Sequence, residues 1–199
     1  MHIAVLFYGR INRFDEHYEN IINSLGKENS LDIYYSCDNA PQEQLERFVQ
    51  LYKPKRYVND PLHITYVRGY PVHPCTNINN MLRHHKNKER VIGLVDTSVK
   101  YDVVVSLRLD LVFSTPFQMG NIDENTVYIP EGNDYEPNAI NDQIAYGSLE
   151  TMQKYMNIDL QRIMRNRQCI LHPETITLAH LMNSSVKIKR FPLTYVIEK

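Results

Sequence analysis

Arg108 and Asp110 put a guanidinium and a carboxylate two positions apart, directly after the apolar run Val103-Val104-Val105-Ser106-Leu107. In an extended segment, residues two apart project to the same side, so the two charges either flank one ligand at a strand end or pair with each other. The spacing alone leaves both readings open. Ligands of open α/β sheets bind beyond the carboxyl ends of the strands, which is where this pair falls if the valine run is a central strand. Upstream, Gly9 lets a backbone come close to a ligand and Arg10 and Arg13 bring cations beside it. That combination suits a diphosphate, and glycine is equally at home in an ordinary strand-to-helix turn. Downstream, Asp142 in Asn141-Asp142-Gln143 reads as a turn residue, an acceptor-binding group or a general base. His172 and Glu174 flank Pro173 at a helix start, where the dipole favours a carboxylate in a structural or a catalytic role.

The elements that must position these residues follow from hydrophobic periodicity. Ile3 to Tyr8 is a short apolar run that stops at Gly9-Arg10, and Phe14, Tyr18, Ile21, Ile22 and Leu25 then recur at helical spacing up to Gly26, with a polar turn through Asn12 and Arg13 between them. Leu31 to Ser36 predicts a second strand. Leu45, Phe48, Val49 and Tyr52 predict a helix ended by Lys53-Pro54-Lys55, with a short strand over Arg56 to Val58. Three such alternations predict a mainly parallel sheet with helices on its faces. Prolines and aromatics from Asn59 to Pro74 suggest an ordered loop or lid. Ile78, Met81, Leu82 and His85 restore a helical stripe, so the charges from Arg83 to Arg90 read as its solvated face. Adjacent His84 and His85 point in different directions and do not form a two-ligand helical metal site. Val91, Ile92, Val95 and Val99 carry the helical spacing toward the stretch Tyr101 to Phe113. Beyond it, Thr126 to Ile129 predicts a strand, Glu131 to Asn141 a polar loop, and Ser148 the cap of a helix bearing Leu149, Met152 and Tyr155. Leu160, Ile163 and Met164 predict a helix with Arg162, Arg165 and Arg167 on its exposed side; the helix opened by Pro173 follows, and Val186 to Phe191 and Leu193 to Ile197 close the chain as strands.

With 199 residues and 43% hydrophobic content, the chain suits one globular domain spanning 1–199. A net charge of −1, from 22 basic and 23 acidic residues, argues against a surface built for nucleic acid or anionic lipid. Cys37, Cys75 and Cys169 lack the spacing of a zinc site or disulfide scaffold and read as small buried hydrophobes in a reducing compartment. No apolar run approaches the ~20 residues that span a bilayer, and the N-terminus lacks the features of a cleaved signal, so the expected location is the cytoplasm.

Taken in order, Tyr8-Gly9-Arg10, Tyr101-Asp102 before Arg108-Leu109-Asp110-Leu111, Asn141-Asp142-Gln143-Ile144-Ala145-Tyr146-Gly147-Ser148 and His172-Pro173-Glu174 resemble GT-A-type nucleotide-sugar-dependent glycosyltransferases. The resemblance is particularly to the small enzymes encoded by large algal (chlorella) viruses and to related bacterial and viral glycan-synthesis proteins, and its blocks extend over nearly the whole chain. It implies a single GT-A-like, Rossmann-like α/β domain with a mainly parallel mixed sheet flanked by helices. It further implies a nucleotide-sugar donor, a UDP-sugar by preference, and a glycan or glycoprotein acceptor, in the host cytoplasm if the protein is viral. Tyr8, Gly9, Arg10, Arg13 and Arg108 would lie on the donor side. In such enzymes an Asp-X-Asp element holds a divalent cation on the diphosphate. Here Arg108 replaces the first acid and Asp110 remains as the candidate ligand for Mn²⁺ or Mg²⁺. Asp142, then Glu174, are the candidates for a base in an inverting reaction. A nucleotidyltransferase and a non-catalytic carbohydrate-binding or assembly subunit are the other classes, the former without its usual Gly-rich phosphate loop.

Overall fold

The computed structural model describes residues 1–11, 13–64, 69–165 and 169–198. Strand and helix alternate from the start: β1 (His2–Tyr8), α1 (Phe14–Ser24), β2 (Ser30–Ser36), α2 (Gln42–Tyr52) and β3 (Arg56–Val58). Then come α3 (Ile78–Gly93), β4 (Val103–Leu107), β5 (Leu111–Phe113), β6 (Thr126–Pro130), β7 (Ile144–Gly147), α4 (Leu149–Met156), α5 (Leu160–Arg165), α6 (Pro173–Met182), β8 (Lys187–Phe191) and β9 (Tyr195–Ile197). Seven strands form one sheet in the order β3-β2-β1-β4-β7-β6-β8, parallel throughout except for β7, which runs against both its neighbours. This is the mixed, mostly parallel α/β architecture expected from the sequence.

The period of two along β1 divides the core. Ile3, Val5 and Phe7 face Phe14, Ile21, Leu45 and Phe48 of α1 and α2, whereas Ala4, Leu6 and Tyr8 face Val91 and Ile92 of α3 and Met152 and Tyr155 of α4. Both faces of the sheet are therefore covered, which explains why β1 and β4 read as nearly continuous apolar runs.

Four expectations are corrected. The Arg108–Asp110 segment is not extended: β4 ends at Leu107, the chain turns at Leu109 and Asp110, and β5 pairs with β9 in a separate two-stranded antiparallel sheet. Arg108 and Asp110 meet across a turn and not along a strand. The helical spacing through Val99 outlasts the helix, which ends at Gly93. The charged run of α3 is not wholly solvated, since Asn87 and Lys88 are buried. Cys37 is buried, but Cys75 is exposed. Arg162 and Arg165 lie on the exposed side of α5, while Asn12 and Arg167 fall outside the described residues. Among the described residues no helix is long and apolar enough to cross a membrane.

Helix α3 carries residues to the site, and its start is fixed by Asn77, whose Oδ1 accepts the Asn80 N–H at 3.1 Å. Asn77→Ala is expected to lower stability by about 1 kcal/mol, read as a shifted urea midpoint at unchanged slope. An unchanged midpoint would show that this cap does not hold α3 in place.

Candidate active site

Phe7, Leu107 and Ile144 lie side by side in the sheet register. Because β7 runs against β4, the next residues outward, Tyr8, Arg108 and Gln143, all open on the same end of the sheet. Gly9 sits at that end with φ of +96°, a conformation that excludes most side chains, and a Cβ there would meet nothing within 4 Å. Its N–H donates to Ser36 O at 2.9 Å and its carbonyl accepts from Tyr35 OH at 3.1 Å, so the turn is tied to β2. Tyr101 and Asp102 are not part of the cluster. Asp102 bonds His2, and Tyr101 OH bonds Asp32, at the opposite end of the strands. The two upstream arginines reach different partners: Arg10 donates to Asn80 on α3, and Arg13 to Glu198 at 3.1 Å.

Asp142, just before β7, is 4% exposed and held from three sides. Tyr8 OH donates to its carbonyl at 2.9 Å, His84 Nε2 lies 2.7 Å from Oδ2, and Lys88 Nζ is 3.3 Å from the carbonyl and 3.9 Å from Oδ2. Burial opposes its ionisation, but the charges of His84 and Lys88 and the His84 hydrogen bond outweigh that, and the carboxyl is held well below the usual carboxylate range. Burial also lowers the His84 pKa against the pull of Asp142. Lys88, fully buried beside this carboxylate, is its compensating cation. Gln143 and Asn141 are fixed by β9: Tyr195 OH donates to Gln143 Oε1 at 3.0 Å and accepts from Asn141 Nδ2 at 2.5 Å.

Glu174, in the first turn of α6, is 5% exposed, and its Oε2 accepts the Tyr135 N–H at 2.6 Å. Burial raises its pKa from 4.5 to about 7, with the Asp142 charge adding to the shift and the Tyr135 N–H opposing it. Two carboxyls in one cluster are thus pushed in opposite directions, a pattern that separates a permanent anion from a proton acceptor working near neutrality.

Arg108 closes a fork on Asp110, Nε to Oδ1 at 2.8 Å and Nη2 to Oδ2 at 2.5 Å. Both carboxylate oxygens are engaged, and among the described residues no three His, Cys, Asp or Glu side chains are grouped to hold a metal ion. A divalent cation on Asp110 would have to share the carboxylate with a guanidinium of like sign. The residues present do not fit a carboxylate-held Mn²⁺ or Mg²⁺, and Asp110 reads here as the partner that orients Arg108.

Sequence reasoning missed His84 and Lys88. Lys88 lies seven residues after Met81 and three after His85, on the buried stripe of α3, so helical spacing did mark it. The surrounding charges masked that signal.

No protein-family model and no curated protein matches the sequence. Solved structures do match. The glycosyltransferase GlyE of Streptococcus pneumoniae TIGR4, in its apo form, superposes with a TM-score of 0.53 at 14% identity, over 94% of this chain and 44% of GlyE. The galactosyltransferase LgtC, solved with donor and acceptor sugar analogues, gives 0.58 at 10% identity over 94% of this chain and 73% of LgtC. An active-site mutant of LgtC gives 0.55 at 9% identity. The chain spans less than half the length of GlyE. At these identities the likeness is one of fold, and the chain is built on the mixed α/β architecture that these glycosyltransferases share.

Proposed function

We propose that the protein is a glycosyltransferase, working as one domain over 1–199, that moves a sugar from a nucleotide diphosphate sugar to a hydroxyl of a glycan or glycoconjugate. A UDP-sugar is the preferred donor. The observation that carries this reading is the convergence of Tyr8-Gly9-Arg10, Arg108 and Asn141-Asp142-Gln143 on one end of a central sheet whose fold is that of glycosyltransferases. The reaction needs a diphosphate held as leaving group, positive charge to stabilise it as the bond breaks, and an acceptor hydroxyl aimed at the anomeric carbon. The Gly9 turn leaves open space for the diphosphate, and Arg10 and Arg108 supply charge. Asp142, a held anion, is a weak proton acceptor and positions the neighbouring Tyr8 and His84. The acceptor's oxygen bonds to the anomeric carbon, the bond from that carbon to the diphosphate oxygen breaks, and the acceptor's proton passes to Glu174.

The test is incubation of the purified protein with a panel of UDP- and GDP-sugars. Saturable donor binding, or slow release of free sugar and nucleoside diphosphate, is the expected result. Pyrophosphate release from a nucleoside triphosphate would indicate a nucleotidyltransferase instead. Glycan binding with no response to any nucleotide sugar would indicate a non-catalytic subunit.

A further inference from the structure

The charges around the Arg108–Asp110 turn are already matched. Asp110 is forked by Arg108, Asp142 is compensated by Lys88, and Glu198, whose N–H donates to Asp110 O at 3.0 Å, is paired with Arg13. Arg10 stands beside this corner, and among the described residues its one hydrogen bond is to the neutral amide of Asn80. The cluster therefore carries at least as many cations as anions before any ligand arrives. A divalent cation would add positive charge to it, while both oxygens of the Asp110 carboxylate are already engaged by Arg108. A diphosphate would add the negative charge that it lacks.

Arg108 is built to receive that charge. Its guanidinium carries five N–H donors; Asp110 takes one from Nε and one from Nη2, which leaves three without a partner among the described residues. The side chain remains 32% exposed, on the end of the sheet where Gly9 leaves space. Asp110 locks the rotamer, so the remaining donors are oriented before binding, and planar forks of this kind match phosphate oxygens.

Resting on the donor reading above, we propose that Arg108, positioned by Asp110, takes the place of a divalent cation on the donor diphosphate, so that nucleotide binding does not require metal.

Calorimetric titration of the intact protein with UDP, first in EDTA and then in Mn²⁺, tests this. The expected Kd changes by less than about threefold between the two, and Arg108→Ala weakens binding by about tenfold or more in both, as loss of charge-assisted hydrogen bonds requires. Arg108→Lys should fall between, because an ammonium keeps the charge and loses the fork. Wild-type affinity that tightens by about tenfold or more with Mn²⁺ would overturn the inference. So would a folded Arg108→Ala variant with unchanged affinity, its folding checked by near-UV circular dichroism. The comparison of EDTA with Mn²⁺ needs no variant, so an unfolded Arg108→Ala protein does not blunt the test. If UDP and GDP bind under neither condition, the donor reading fails and this inference falls with it. If they bind only with Mn²⁺, the donor reading stands and the inference alone is lost.

Discussion

Lys88→Met is expected to destabilise the protein by about 3–5 kcal/mol, because it leaves a buried carboxylate without its cation. Lys88 is 0% exposed, with Nζ 3.3 Å from both Asp142 O and Tyr155 OH and seated over the rings of Tyr155 and Tyr8 at 4.6 and 5.5 Å. Methionine fills similar volume, so the loss isolates the charge and its hydrogen bonds from packing. Asp142 must then either stay ionised with His84 as its remaining partner or take up a proton. In the wild type its depressed pKa contributes stability that is present above the ordinary carboxylate range and is lost as pH falls. That acid-side loss should be smaller in the variant. Lys88→Met combined with Asp142→Asn removes both charges and should recover much of the deficit. Urea denaturation of the two single variants and the double variant measures the coupling. A Lys88→Met protein within about 1 kcal/mol of wild type would mean that the ion pair does not hold this cluster together.

Glu174→Gln should lower the transfer rate by about 10²–10⁴-fold while leaving donor affinity near the wild-type value, since the amide keeps the shape and loses the proton acceptor. The wild-type rate should rise with pH through about 7, where the Glu174 carboxyl ionises. The same group makes a stability prediction of definite sign. Its folded pKa lies above its ordinary 4.5, so its contribution is fully present below 4.5 and is lost as pH rises through about 7. A displacement of this size corresponds to on the order of 3 kcal/mol. Glu174→Gln should therefore match wild type at acid pH and become the more stable protein above pH 7. Parallel stability curves for the two across that range would show that Glu174 is not perturbed, and a proportional loss of donor affinity and rate would assign it a structural role.

The sheet was legible because its chemistry is local. β-branched and apolar runs such as Val103-Val104-Val105 and Ile3 to Tyr8 announce strands covered on both faces, and stripes such as Leu45, Phe48 and Tyr52 announce the helices that cover them. The second sheet was not legible. Nothing in Leu111 to Phe113 marks it as a strand of its own, and only its pairing with Tyr195–Ile197 makes it one. The ordered motifs located the candidate residues, yet their spacing could not say which partner each charge would take. Arg108 meets Asp110 across a turn, Arg13 meets Glu198, and Lys88 meets Asp142 inside the molecule. The first is set by the local turn, and the other two by tertiary contacts between segments distant in sequence. The contrast between Asp142 and Glu174 is equally non-local, because two similar side chains differ through the His84 and Lys88 that face one of them and the burial that dominates the other.

The ladder of β5 with β9 has a consequence for how the chain acquires its working form. Leu111 pairs with Ile197, Glu198 reaches back to Asp110, and Tyr195 grips Gln143 from 52 residues later in the sequence. Closing loops of this length is costly in entropy and is rewarded only once the distant partner has arrived. The frame and the site are therefore braced by different parts of the chain: the seven-stranded sheet is complete without β9, whereas the turn that carries Asp110 and the side chain of Gln143 are held by it.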